Sequence, residues 1–301
     1  MASLPPDRMP PPRISEDPAT GSAVAPPPGR GLIPGLITAL RLLLPVRDWP
    51  PARSESWSSA VLWLVPLGLL WGLLWAAAFR LSWRIFGEVA GARFIPALVV
   101  LLLDATLLGA RQYWGAWRVL CRVTARRAGA RTEEGGPLAP MLGLMLILLS
   151  VWVLILSVPN RPGYWPAGWR ATLGLNELFP RPIFRPLILA PIWGRWAMLM
   201  AANVGRVRAG SLAEGLCAAV RPWRVLGAFV PTAALTAVYC AQSGHRLVGV
   251  IIALAVLGVT HLASTLLGRR LGGQSLSTIF AVSLLAQVTF LLAYLIASAR
   301  V

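Results

Sequence analysis

The chain alternates between long apolar runs and short connections rich in arginine. Seven runs lie near or above the roughly 20 residues that a helix needs to cross a hydrocarbon core. They cover 58–79, 94–110, 138–159, 183–203, 225–241, 247–268 and 275–298. Each is continuous rather than alternating, which favours helices over the strands of a membrane barrel. The pattern predicts an all-α fold: a polytopic integral membrane bundle of about seven transmembrane helices, occupying residues 31–301 as one domain. The run 31–46, G-L-I-P-G-L-I-T-A-L-R-L-L-L-P-V, is too short to span and predicts an interfacial or re-entrant helix ending before Pro45. Residues 1–30 carry Pro10, Pro11, Pro12, Pro26, Pro27 and Pro28 and no continuous apolar segment. They predict a disordered, proline-rich cytoplasmic tail.

Composition sharpens this picture. With 56% hydrophobic and 13% charged residues, the chain is excluded from the soluble globular class. Every basic residue is an arginine, and the net charge is +17. In a membrane protein such an excess serves topology and anionic lipid rather than nucleic acid. With the N-terminus in the cytoplasm, fifteen arginines fall in cytoplasmic connections and nine on the opposite side, so the N-terminus is expected inside and the C-terminus outside. The 160–182 connection, opening N-R-P-G-Y-W-P-A-G-W-R, carries the aromatic residues of an interfacial anchor. Cys121, Cys217, Cys240, His245 and His261 show no metal-ligand spacing, and no disulfide framework is expected.

Two charged residues fall at bilayer depth. Arg195 sits near the middle of I-F-R-P-L-I-L-A-P-I-W-G-R-W-A-M-L-M-A-A-N, and Asp104 within V-V-L-L-L-D-A-T-L-L-G-A-R. A charge at that depth is costly unless it faces a partner, a ligand or water. Two readings of Asp104 stay open: a ligand of a metal or phosphate site, or a structural ion pair with Arg195 or Arg111. Glu133 and Glu134 precede Gly135 and Gly136 at the start of the third run. They suit a helix N-terminus, and equally a second oxygen ligand for Mg²⁺, which prefers carboxylates together with substrate phosphates. Arg206 and Arg208 follow the arginine-bearing run in N-V-G-R-V-R-A-G-S-L and could hold phosphate by paired donors or meet lipid headgroups. His261 reads as a polar group inside the bundle.

The stretch L-A-P-I-W-G-R-W-A-M-L-M-A-A-N-V-G-R-V-R-A-G-S-L, 189–212, and the stretch R-R-L-G-G-Q-S-L-S-T-I-F, 269–280, resemble segments of the cobalamin synthase family, adenosylcobinamide-GDP ribazoletransferase. A-L-R-L-L-L-P-V and W-L-V-P-L-G-L-L-W-G-L-L resemble the family's opening. In order and spacing the resemblance covers most of the chain after about residue 32. Asp104 matches the first acid of the family's H-L-D-G-x-A-D-x-x-D-G pattern, while Leu108 and Arg111 stand at the next two acidic positions. Glu133 aligns loosely with a later acid, and Ser277 stands where the family has aspartate. The resemblance implies a bacterial inner-membrane transferase of cobalamin biosynthesis that joins adenosylcobinamide-GDP to α-ribazole with release of GMP. It implies Asp104 and Glu133 as catalytic Mg²⁺ ligands, with Arg195, Arg206 and Arg208 on substrate phosphate. The alternative expectation is a non-catalytic relative with a structural or partner-binding role.

Overall fold

A computed structural model describes residues 31–44, 56–86, 94–108, 110–127, 138–157, 184–208, 211, 213–241 and 247–299. The expected tail at 1–30, the 160–182 connection and Glu133 lie outside the described residues. The helices are α1 (Leu32–Leu43), α2 (Trp57–Phe86), α3 (Phe94–Leu103), α4 (Ala110–Arg127), α5 (Leu138–Ser157), α6 (Phe184–Asn203), α7 (Glu214–Ala219), α8 (Pro222–Ala241), α9 (Val248–Leu271) and α10 (Leu276–Ala299). Between α3 and α4, Asp104–Leu108 form a π-helical turn. Among the described residues there is no strand, only an isolated bridge between Val207 and Gln274.

The architecture is centred on α6. All its residues except Phe184, Met200 and Asn203 are fully buried. It packs most closely against α2 and α10, and also touches α7, α8 and α9. Close approach by α2 rests on Gly68 and Gly72, one helical turn apart. A Cβ at Gly68 would stand 2.9 Å from the Ile192 backbone, and one at Gly72 would collide with the Ile188 carbonyl. This is the G-x-x-x-G device, in which small residues let two helix backbones meet where lipid supplies no hydrophobic drive. Trp193 and Trp196 of α6 hold α8 and α10 through edge-on and tilted contacts with Phe229 and a stacked contact with Phe290, centroids 5.3 to 6.4 Å apart.

Polar and apolar residues are distributed inside out relative to a soluble protein. Asp104, Gln112, Arg185, Arg195, Thr236, Gln274, Ser283 and Gln287 are buried, while Leu70, Leu146, Leu226, Ile251 and Leu262 are more than half exposed. An apolar outer surface of this extent marks a lipid-facing bundle. Among the described residues, five helices are long and apolar enough to cross a membrane: α2, α5, α8, α9 and α10. A sixth crossing results if the bent α3–α4 pair counts as one. The expected fourth span, α6, falls short of that apolarity because two arginines and two prolines dilute it, and it lies enclosed by its neighbours rather than against lipid.

The second run was expected over 94–110 as a span near the lower length limit, either little tilted or partly re-entrant; α3 gives way at Asp104 to the π turn, and the helix that follows is bent from it by 75°. The Thr106 hydroxyl donates to the Leu102 carbonyl at 2.6 Å, a back-bond that competes with the backbone ladder and favours bending. Residues 111–127, expected as a connection, form most of α4. Its buried face carries Gln112, Tyr113, Gly115, Ala116 and Val119, while Trp114 and Arg118 face outward. That helical spacing is diluted in sequence by five arginines, so the segment does not read as an apolar run. The short helix α1 forms as expected, with Leu44 as its C-cap.

Packing at the α2–α6 contact gives the first test. Gly72→Leu is expected to destabilise the protein by about 1–3 kcal/mol, the usual range for overpacking. Gly258→Leu on α9, where an added Cβ meets nothing within 4 Å, is expected to leave the melting temperature in mild detergent unchanged. Equal melting temperatures for the two variants would remove α2–α6 contact as the organising seam.

Candidate functional site

Arg195 lies midway along the buried helix, 1% exposed. Its Nη1 approaches Met198 Sδ at 3.7 Å, and its guanidinium carbon stands 5.6 Å from the Trp71 ring centroid. Nε and Nη2, the two nitrogens of one side of the guanidinium fork, have no hydrogen-bond partner. The opposing charge is Asp104, also 1% exposed and delivered from the other side by the π turn. The Tyr113 hydroxyl donates to Asp104 Oδ2 at 2.9 Å, and Arg195 interacts electrostatically with the carboxylate. The indole of Trp75 lies beside it without a hydrogen bond of good geometry.

Four elements thus build one polar centre: α2 gives Trp71 and Trp75, the π turn Asp104, α4 Tyr113 and α6 Arg195. A second strand of polar contacts adjoins it. Gln112 Nε2 donates to Ser283 Oγ at 2.8 Å, Ser283 Oγ donates to the Gly194 carbonyl at 2.8 Å, and Gln287 Nε2 donates to Gln112 Oε1 at 3.4 Å. These bonds tie α4 and α10 to α6 next to Arg195. Of the two cations first considered for Asp104, Arg111 is engaged elsewhere. Its Nη1 donates to the carbonyls of Arg41 at 2.7 Å and Leu42 at 3.0 Å, capping the last turn of α1 where a cation is favoured.

Arg206 and Arg208 are not part of this centre. Arg195 lies eight residues before the end of α6, about 12 Å along the axis, and both arginines lie beyond that end with exposed side chains. Their backbone is clamped to the turn between α9 and α10. Gln274 N–H donates to the Arg206 carbonyl at 2.7 Å, and Arg208 N–H to the Gln274 carbonyl at 3.0 Å. The Gln274 side chain donates to Val204 O at 3.0 Å and Ser264 O at 2.8 Å. Gly273 makes the approach possible, having φ +120° and a position where a Cβ would press on the Arg208 amide. The 189–212 and 269–280 stretches, singled out separately in the sequence, therefore meet in space. Exposed Arg269 and Arg270 end α9 beside them, forming a basic end of the bundle.

No protein-family model matches the chain. Neither curated proteins nor solved structures give a match.

The site is therefore judged on its own chemistry. Among the described residues, no group of three His, Cys, Asp or Glu side chains could hold a metal ion. Asp104 Oδ2 is bound by the Tyr113 hydroxyl, and Arg195 is the cation with which the carboxylate interacts. His261 is exposed on α9 rather than inside the bundle. The three cysteines are free, and burial pushes the Cys217 thiol of α7 up to about 11, which leaves it protonated and poorly nucleophilic at neutral pH. Sequence reasoning did not find Trp71, Trp75, Tyr113, Gln112, Ser283 or Gln287. The first two were legible in principle, because Trp71 sits inside the G-x-x-x-G and Trp75 one turn after it. Gln112 and Tyr113 lie on a face of α4 that the bend at the π turn directs, and Ser283 and Gln287 are uncharged polar residues within the apolar run of α10.

Removing one charge of the centre leaves the other unpaired. Asp104→Ala is expected to cost about 3–5 kcal/mol and to lower accumulation in the membrane, whereas Asp104→Leu combined with Arg195→Met recovers most of that loss. Thermal unfolding of the single and double variants checks this. Additive losses in the double variant would mean that the two charges do not act as a pair.

Proposed function

We propose that the chain is a non-catalytic membrane protein built on a cobalamin-synthase-like plan, with a structural or partner-binding role. One observation carries the reading: Asp104, the one described acid matching the family's acidic pattern, is buried with Oδ2 held by the Tyr113 hydroxyl and interacts electrostatically with Arg195. A carboxylate that must hold a metal on substrate phosphates needs free lone pairs facing a cavity. Here it instead offsets the charge that would make α6 unfavourable in the bundle interior.

On this reading the chain crosses a bacterial inner membrane seven times, with α6 as a crossing enclosed by protein and the α3–α4 pair as one broken crossing. The N-terminus is cytoplasmic, in line with the distribution of arginines. The basic end formed by Arg206, Arg208, Arg269 and Arg270 then faces the cytoplasm and offers itself to a partner.

A second reading, the transferase that acts on adenosylcobinamide-GDP and α-ribazole, draws support from the unpartnered Nε and Nη2 of Arg195, a donor pair suited to phosphate. It requires carboxylates from outside the described residues, Glu133 among them, to supply what Asp104 does not. Complementation separates the two. In a bacterial strain lacking cobalamin synthase, the wild-type chain is expected to accumulate without restoring cobalamin-dependent growth, and Asp104→Ala is expected to reduce its accumulation. Restored growth, abolished by Asp104→Asn at normal accumulation, would overturn the non-catalytic reading and establish the transferase.

A further inference from the structure

On the face of α6 turned toward α8, the bundle is open. A groove of about 580 Å³ runs between α2 and α8, floored by Ile192 and Leu199 of α6. Its walls are Val61, Val65 and Leu69 on one side and Ala228, Pro231 and Leu235 on the other. Pro66 and Pro231 line it as well and present no backbone N–H. Gly227 leaves the α8 wall hollow, since a Cβ there meets nothing within 4 Å.

One end of the groove is chemically different. Arg224 lines it in the first turn of α8 beside Trp223, which is 60% exposed. The guanidinium lies 5.1 Å from the Trp223 ring centroid, and its Nη1 donates to the carbonyls of Ser58 at 3.0 Å and Ala219 at 2.9 Å. Those bonds fix the start of α8 to the start of α2 and hold the charge at the groove mouth. Arg224 Nε is shielded and has no hydrogen-bond partner, and Arg221 stands exposed three residues earlier. Tryptophan and arginine at a helix end are the pair that marks the headgroup level of a bilayer.

Length selects the occupant. From Arg224 to Leu235 the groove follows eleven residues of helix, about 16 Å, which matches one leaflet of a hydrocarbon core roughly 30 Å thick. We propose that this groove is a binding site for one anionic phospholipid, an acyl chain lying between α2 and α8 over α6 and its phosphate at Arg224. The chain excludes empty space from the interior of the bundle and keeps α2 and α8 at their observed separation. The phosphate lies against the guanidinium of Arg224, with Arg221 adding charge. A protein or peptide would need backbone partners that this apolar, proline-lined slot does not offer.

The test uses the full-length protein, purified in mild detergent from membranes containing phosphatidylglycerol, with bound lipid measured by mass spectrometry. About one phosphatidylglycerol is expected to stay with each wild-type chain, and phosphatidylcholine to compete at least about tenfold less well. Gly227→Leu grows into the hollow from a position where an added Cβ meets nothing within 4 Å, so its melting temperature is expected to hold while retention falls about tenfold. Gly258→Leu, on a different helix with equal space around it, is the control and is expected to retain lipid as the wild type does. Unchanged retention in Gly227→Leu, or a wild type that carries no lipid, overturns the site. Displacement by palmitate as effective as by phosphatidylglycerol overturns the role given to Arg224.

Discussion

The constraint on which this structure depends is the guanidinium of Arg195 in the middle of a buried helix. Placing such a group at bilayer depth costs from about 3 to more than 10 kcal/mol, depending on how far it can reach toward water. A chain of its length cannot reach far here, because the helix that carries it is buried along nearly its whole length. The surroundings meet the cost by three means. Glycines bring α2 close enough for the Trp71 ring to stand against the cation, an interaction of about 2 kcal/mol when desolvated. The π turn breaks α3 at the level where a counter-charge is needed, and Asp104 is the residue that opens it. Tyr113, on the helix that leaves that turn, then satisfies the carboxylate. Each device is local, yet together they set the position of α2, α3, α4 and α10 around α6.

Enclosure also explains why counting apolar runs gives an ambiguous number of crossings. Hydropathy measures fitness for lipid, and α6 meets protein instead. Its arginines and prolines lower its apolarity, but lipid is not what they face. The outer helices show the reverse: α5 carries leucines and methionines on its exposed face, and α9 leucines and isoleucines with charge gathered at its last turn in Arg269 and Arg270. Buried helices that carry function or charge will always score poorly on a scale built for lipid contact.

What could be read from the chain follows this division. The outer spans were legible because a lipid-facing helix must be continuously apolar; the bounds of α5, α8, α9 and α10 fall within three residues of the runs, while α2 continues to Phe86, seven residues past its run. Arg195 and Asp104 were legible as energetic oddities for the same reason. Their partnership was not, since Asp104 lies two turns from Arg111 in sequence and the choice between two cations depends on the direction of a bend. Arg111 instead caps α1, a contact about seventy residues away in the chain. The helix Ala110–Arg127 escaped notice because its buried face holds Gln112, Tyr113 and Gly115, residues selected for hydrogen bonding and close approach to α10 rather than for apolarity.

One stripe of α6 carries two kinds of contact. Arg195 brings its charge toward the π turn from that stripe, while the Gly194 carbonyl on the opposite side meets α10. Ile192 and Leu199, one turn to either side of Arg195 and on the same stripe, floor the groove. Trp193 and Trp196 join α8 to the core through Phe229, each aromatic pair adding about 0.5–1.5 kcal/mol beyond the area buried. This aromatic seam lets α8 be anchored on one edge while its other edge stands away from α2. A groove flanked by lipid has little drive to close, because lipid tails are as apolar as its walls. The Arg224 bonds to Ser58 and Ala219 hold one end of α8, and the aromatic seam holds one edge. The remaining wall, with Gly227 at its hollow, is held by neither, which leaves a chain of lipid as its third support.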